Sequence, residues 1–290
     1  MKGFFWSWCN DPSYKEFHRR YQHLDIYNPA QDAEWKRNLS ADEYAREILA
    51  EFAFAEAGVF NPKFIENSLE EYDFEKEHSP TPGIYSFGVD WNEGSAGTHI
   101  VIVRFERSTY GVKIRVSNVI RISPSQTTQI QAVEKILDLF VHYLPIVVVV
   151  DEGFGNTQIQ LLRAKAQERK IKEFENRLLP INLGSRVKVP DMVTGAFVEV
   201  YIKPFLVNLT ARYLEQGQLI LPKSEDYRSG LVGQMRNYQI VGVTEKGLPK
   251  YSKDQVHTLE SLMMALYGLW LNSDMIKLMK TAHVPPRILK

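Results

Sequence analysis

The stretch Ile146-Val147-Val148-Val149-Val150 constrains this chain more than any other. Five consecutive β-branched side chains disfavour a helix, where each loses rotamer freedom against the preceding turn, and favour a strand. An apolar run without alternation marks a strand covered on both faces, so the sheet it belongs to lies between two layers. Pro145 precedes it and ends a helix expected from the stripe Ile130, Val133, Ile136, Leu137, Phe140, Val141 and Leu144. Asp151 follows it directly. A helix feeding a buried strand is the repeating unit of an α/β fold.

The flanks extend the pattern. Upstream, Ile84 to Asp90, Thr98 to Phe105 and Val112 to Ile122 are β-rich runs. Gly94-Ser95-Ala96-Gly97 and Thr109-Tyr110-Gly111 separate them and are short enough for hairpins. Downstream, helices expected over 157–170, 204–215 and 254–271 alternate with short strands at 186–189, 219–221 and 238–243. Three antiparallel strands, a crossover helix, a central parallel strand and flanking helices describe a ribonuclease H-like mixed sheet. Residues 1–80 lack strand patterning and read as a helical appendage. Within them Ser40 and Glu43 fit a capping box, opening a helix that carries Tyr44, Ile48, Leu49 and Phe52 on one face. The acidic run from Asn67 to Pro82 reads as the boundary, leaving 81–290 as the main domain.

The 290 residues, 44% apolar and 24% charged, suit one large domain or one domain with an appendage. No apolar run approaches the roughly 20 residues that span a bilayer, so no membrane association is expected. The lone Cys9 excludes a disulfide framework and a cysteine-rich zinc site, and the expected setting is cytosolic. A net charge of zero weighs against nucleic acid, whose binders usually carry a basic excess. The densest basic cluster, Arg163, Lys165, Arg169 and Lys170, is the candidate DNA-binding surface; interleaved Glu168, Glu173 and Glu175 also suit an ordinary solvated helix.

Asp90 closes the first strand and Asp151 closes the valine strand. In a sheet of this order those strands are neighbours, so both carboxylates emerge at adjacent strand ends. Two anions held close repel, and a bound cation relieves them; magnesium or manganese prefers such oxygen ligands. The plainer reading is that each aspartate only caps a turn. A third acid is expected from the closing helix, where Glu260 sits among Leu259, Leu262 and Met263 and is costly to bury without a partner. His257, three residues earlier, shares its face and is a neighbour or alternative ligand, while Asp254 suits the helix cap. Two divalent ions, Mg2+ or Mn2+, held by Asp90, Asp151 and Glu260 would suit phosphodiester hydrolysis. Gly94 to Gly97 has no following lysine and helix, so it is a turn and not a phosphate loop.

Several of these segments, in this order, resemble the large terminase subunits of tailed viruses over nearly the whole chain. They are Gly88-Val89-Asp90, Val147 to Asp151 with Gly153-Phe154-Gly155, Lys203-Pro204-Phe205-Leu206, Tyr251, and His257-Thr258-Leu259-Glu260 running on to Leu266. At Glu260 that family commonly has aspartate. The resemblance implies a nuclease that cuts concatemeric double-stranded DNA in the host cytoplasm, at the procapsid. It implies as partners the subunit's ATPase domain, the small terminase subunit and the portal. The chain has no Gly-x-x-x-x-Gly-Lys-Ser/Thr stretch, so the expectation is a C-terminal portion without ATPase activity. Other ribonuclease H-like nucleases, of junction resolvase or transposase type, and a non-catalytic docking module are the alternatives.

Overall fold

In a computed structural model, residues 19–39, 41–50, 58–91, 97–108, 111–123, 129–153, 155–190, 196–224, 230–245, 247–253 and 255–273 are described. Ser40, residues 92–96, Phe154 and Asp254, and the side chain of Glu43, lie outside them. So do the capping box, the glycine-rich turn and the helix cap expected there.

The chain begins with helices α1 (Pro29–Asn38), α2 (Ala41–Glu47) and α3 (Pro62–Asn67), then strands β1 (Leu69–Glu70), β2 (Ile84–Asp90), β3 (Thr98–Ser108) and β4 (Gly111–Ile122). Next come α4 (Gln129–Tyr143), β5 (Val147–Asp151), α5 (Asn156–Glu168), α6 (Phe174–Arg177) and β6 (Leu178–Ile181). A hairpin of β7 (Arg186–Pro190) and β8 (Phe197–Tyr201) leads into α7 (Ile202–Glu215), β9 (Leu219–Pro222) and α8 (Leu231–Asn237). A second hairpin, β10 (Ile240–Val243) and β11 (Pro249–Tyr251), precedes the closing helix α9 (His257–Leu271).

Seven strands form one sheet in the order β1-β9-β4-β3-β2-β5-β6. β2, β3 and β4 are antiparallel, whereas β5 lies parallel to β2 and β6 parallel to β5. The valine run is central, as expected, and its side chains divide by parity. Val148 and Val150 join Phe87 and Val89 in a core under α4 and α5. Val147 and Val149 join Val101 and Val103 in a core under α7, α8 and α9. This three-layered arrangement is the ribonuclease H-like α/β fold. No described helix is long and apolar enough to cross a membrane.

Gly88 sets how near the closing helix comes. A Cβ there would stand 1.8 Å from the Ser261 carbonyl oxygen and 2.6 Å from the Ala265 nitrogen, so α9 lies backbone-to-backbone on β2. The helix is buried almost all round, in keeping with its apolar sequence from Leu259 to Leu269.

Some expectations change. The strands near 186–189 and 238–243 form, but they leave the main sheet as β7 and β10 of the two hairpins. β6 was not anticipated because Pro180 interrupts its pattern; at the sheet edge a missing N–H costs nothing. On α4 the residues Val133, Ile136, Leu137 and Phe140 are buried, while Ile130, Val141 and, just past the helix end, Leu144 are exposed. The buried stripe instead includes Leu139.

Residues 60–77 are knitted into the main unit. Phe60 and Ile65 lie in the core and β1 lengthens the sheet beside β9. The Glu75 amide donates to the Ser117 carbonyl at 3.0 Å, and Arg104 pairs with Glu75 at 2.7 Å. Further upstream, α1 and α2 dock on the end of α7. Arg212 donates to the Asn38 carbonyl at 2.7 Å, and the Ala41 amide donates to Glu215 at 2.6 Å.

Candidate active site

Register brings the two aspartates together. β2 and β5 pair in parallel through Gly88↔Val149 and Val89↔Val150, so the next step sets Asp90 beside Asp151 at the same end of the sheet. Parity then sets the face. Asp90 follows Ser86 and Gly88, and Asp151 follows Val147 and Val149, all on the side that α9 covers. Both aspartates are buried, at 4% and 5% exposure. Gly155 tightens this corner: a Cβ there would lie 2.3 Å from both the Asp151 carbonyl oxygen and Trp91 Cδ1. The indole after Asp90 thus closes on the turn after Asp151.

The first turn of α9 completes the cluster. His257 Nδ1 lies 2.7 Å from Asp90 Oδ2. Burial pushes Asp90 up to about 6; the hydrogen bond with His257 acts downward, and the charges of Glu260 and Asp151 act upward. His257 is itself raised, chiefly by its hydrogen bond to Asp90, against the effect of burial. Glu260 is half-buried and bonded to the Lys203 ammonium, from the start of α7. The Gly153 amide donates to Asp151 Oδ1 at 3.0 Å and fixes that carboxylate. Behind His257, buried His99 lies 2.8 Å through Nδ1 from the Thr258 hydroxyl, and Ser261 donates to the His99 carbonyl at 3.0 Å.

Asp90, Asp151, Glu260 and His257 therefore converge, from β2, β5 and α9. Lys203 joins them from α7; its link to Glu260 spans 57 positions, and only its place in a resembling motif pointed to it. Arg163, Lys165, Arg169 and Lys170 stand elsewhere. α5 starts just after Asp151 and runs 13 residues, so its far end lies roughly 20 Å away. From the middle of α5 to its C-cap, Arg163 pairs with Glu175, Lys165 with Glu168, and Arg169 with Glu134 and Asp138.

Among the described residues no three His, Cys, Asp or Glu side chains are already gathered to hold a metal ion. The donor chemistry nevertheless suits a hard divalent cation, since three carboxylates from three elements share one end of the sheet. The upward push on buried Asp90 by two neighbouring anions is the cost a cation would relieve. Lys203 relieves part of it at Glu260.

A doubly covered mixed sheet with acidic strand ends is the frame of ribonuclease H-like proteins. Within that class the fold is similar to the large terminase nuclease from thermophilic phage G20c, at TM-score 0.51 and 15% identity, covering 73% of this chain and 98% of that one. The nuclease domain of bacteriophage SPP1 g2p, a large terminase solved with bound Mn, matches at TM-score 0.42 and 13% identity, covering 69% and 94%. The HK97 bacteriophage large terminase matches at TM-score 0.47 and 11% identity, covering 84% of this chain and 52% of that one. At these identities the likeness establishes the fold, and it is the first that does so. No family model and no curated protein matches the sequence.

Proposed function

We propose that this chain is the nuclease portion of a viral large terminase subunit, a Mg2+- or Mn2+-dependent endonuclease that cuts concatemeric double-stranded DNA with little sequence specificity. The observation that carries this reading is the convergence of Asp90, Asp151 and Glu260 at one end of a ribonuclease H-like sheet. Asp90, Asp151 and Glu260 would hold two divalent ions, whose chemistry there would be activation of a water and stabilisation of the leaving oxygen. His257 orients Asp90, the Gly153 amide orients Asp151, and Lys203 holds Glu260 while placing a positive charge beside the cluster. On the same reading the chain acts in the host cytoplasm beside an ATPase domain, a small terminase subunit and a portal. It hydrolyses no ATP itself, having no Gly-x-x-x-x-Gly-Lys-Ser/Thr stretch.

Supercoiled plasmid, which offers no ends, should be nicked and linearised with manganese or magnesium and left intact with chelator. Plasmid that stays supercoiled with either metal at high protein concentration would defeat the reading. Two substitutions sort the roles in α9. Glu260→Gln should abolish cleavage, whereas His257→Ala should lower it about 10–100-fold, the usual loss when a group orienting a ligand is removed. Full activity in Glu260→Gln with none in His257→Ala would exchange the two.

A further inference from the structure

A neutral chain needs a local basic surface beside its acidic cluster to hold a duplex there, and the basic residues of α5 lie away from that cluster, with Arg163 and Lys165 ion-paired. We infer that the β7–β8 hairpin is that surface, an arm that grips double-stranded DNA beside the carboxylate cluster. This rests on the nuclease reading above and adds to it where the substrate is held.

Both feet of the arm stand at the cluster. The strand before it ends at Ile181, which pairs with Asp151, and the Ile181 carbonyl accepts from the Glu152 amide at 2.7 Å. Its own second strand ends at Tyr201, two residues before Lys203 and its bond to Glu260. A hydrogen bond from the Ile202 amide to the Ser185 carbonyl, 3.0 Å, ties the feet together. The arm is thus anchored to two of the three carboxylate-bearing elements.

Its two faces differ in kind. The register Arg186↔Tyr201, Val187↔Val200, Lys188↔Glu199, Val189↔Val198, Pro190↔Phe197 sets the valines on one side. Val189 is buried and Val187 packs against the core, so the β7 half of that side is turned inward, while Val198 opposite Val189 is exposed. The other side carries Arg186, Lys188, Phe197, Glu199 and Tyr201. Arg186 lies 4.6 Å over the Tyr201 ring and donates to its hydroxyl at 3.1 Å, with Glu199 a looser 3.9 Å away. Lys188 is exposed and has no ion pair among the described residues. Phe197 is 74% exposed.

An aromatic side chain left in water beside a strand that carries Arg186 and Lys188 is costly for a free protein and useful to a DNA binder. Lysine and arginine neutralise phosphates, and aromatic rings stack on bases or wedge into a groove. Phe197 is four strand steps from Tyr201, about 13 Å, or about four base pairs along a duplex at 3.4 Å each. A phosphate at the carboxylates thus leaves the neighbouring groove within reach of the arm.

The test is fluorescence anisotropy of a labelled 20-base-pair duplex in chelator across a salt series, with plasmid cleavage and manganese-dependent hydrolysis of bis(p-nitrophenyl) phosphate alongside. Arg186→Ala/Lys188→Ala should weaken duplex binding at least 10-fold and flatten the salt dependence by about 1.8 logarithmic units, two phosphate contacts' worth. Phe197→Ala should weaken it about 5-fold or more. Plasmid cleavage should fall in step, while hydrolysis of the small ester stays at the parent rate. Lys188→Ala, at an exposed position without an ion pair, serves where the double variant folds poorly; alone it should lower affinity and the salt slope by about 0.9. Parent-like duplex affinity and salt slope in folded Lys188→Ala and Phe197→Ala overturn the arm. Arm-dependent binding together with no cleavage by the parent protein sinks the nuclease reading and leaves the arm standing.

Discussion

Asp90→Asn is expected to bring plasmid cleavage below detection while leaving the fold intact, and Asp151→Asn to do the same. Each change keeps the shape of the side chain and removes the charge that would offset a divalent cation. A stability effect of opposite sign should accompany the loss at Asp90. Its carboxyl is raised from the usual 3.8 to about 6 by burial and by neighbouring anions. The folded chain therefore holds that proton more tightly than the unfolded chain does. The resulting stabilisation is fully present below pH 3.8 and is lost as pH rises through about 6. Asparagine carries no such penalty, so the metal-free variant should melt higher than the parent at pH 8, with the gap shrinking toward pH 4. By the same titration, parent cleavage should climb as pH is raised through about 6, since protons compete for Asp90. Calorimetry and a plasmid assay run across pH check both. Cleavage by Asp90→Asn at the parent rate would remove the site altogether, because β2 has no other carboxylate.

Gly88→Ala should be the most damaging single-methyl change in the chain's centre. The added Cβ meets backbone atoms of α9, not a flexible side-chain tip, with Ser261 O at 1.8 Å and Ala265 N at 2.6 Å. Overpacking of a filled core ordinarily costs about 1–3 kcal/mol; here an entire helix must lift, so the upper end or more applies. At about 2–4 °C per kcal/mol for a chain of this size, 3 kcal/mol lowers the melting temperature by about 6–12 °C. Cleavage should fall further than stability alone explains, because the displaced helix carries His257 and Glu260. Gly233→Ala, in α8 with nothing within 4 Å of the new methyl, is the control. It should be neutral or stabilising by up to about 1 kcal/mol. Equal melting temperatures for Gly88→Ala and the parent would show that α9 does not rest on β2 as closely as described.

How much of this architecture is legible in the sequence follows from range. The valine strand, the three antiparallel strands and the apolar closing helix declare themselves through side-chain periodicity within a dozen residues. The acids at the ends of those strands become a pair once the strand order is accepted, so Asp90 and Asp151 were visible early. Partnerships across the chain were not. The bond between Lys203 and Glu260 joins helices 57 positions apart, and the pairing of Arg169 with Glu134 and Asp138 depends on how α5 lies against α4. Sheet membership is equally non-local. β7 and β10 have good strand composition, yet only the folded chain shows that they leave the main sheet. β1 is two residues long and exists because β9 lies beside it, so local patterning holds no trace of it.

Synthesis proceeds from residue 84 toward residue 271, and the meander of β2, β3 and β4 closes through near neighbours in sequence. Its face bearing Gly88, Val101 and Val103 has to wait. The helix that covers it is the last described element, about 150 positions behind β3. A chain interrupted before α9 emerges presents a broad apolar sheet to water, the kind of surface that slow, long-range topologies leave open to aggregation or to chaperones. It also lacks Glu260 and His257. Sealing the core and assembling the acidic cluster are thus one event in time, and a half-made chain carries two of the three carboxylates on an open sheet.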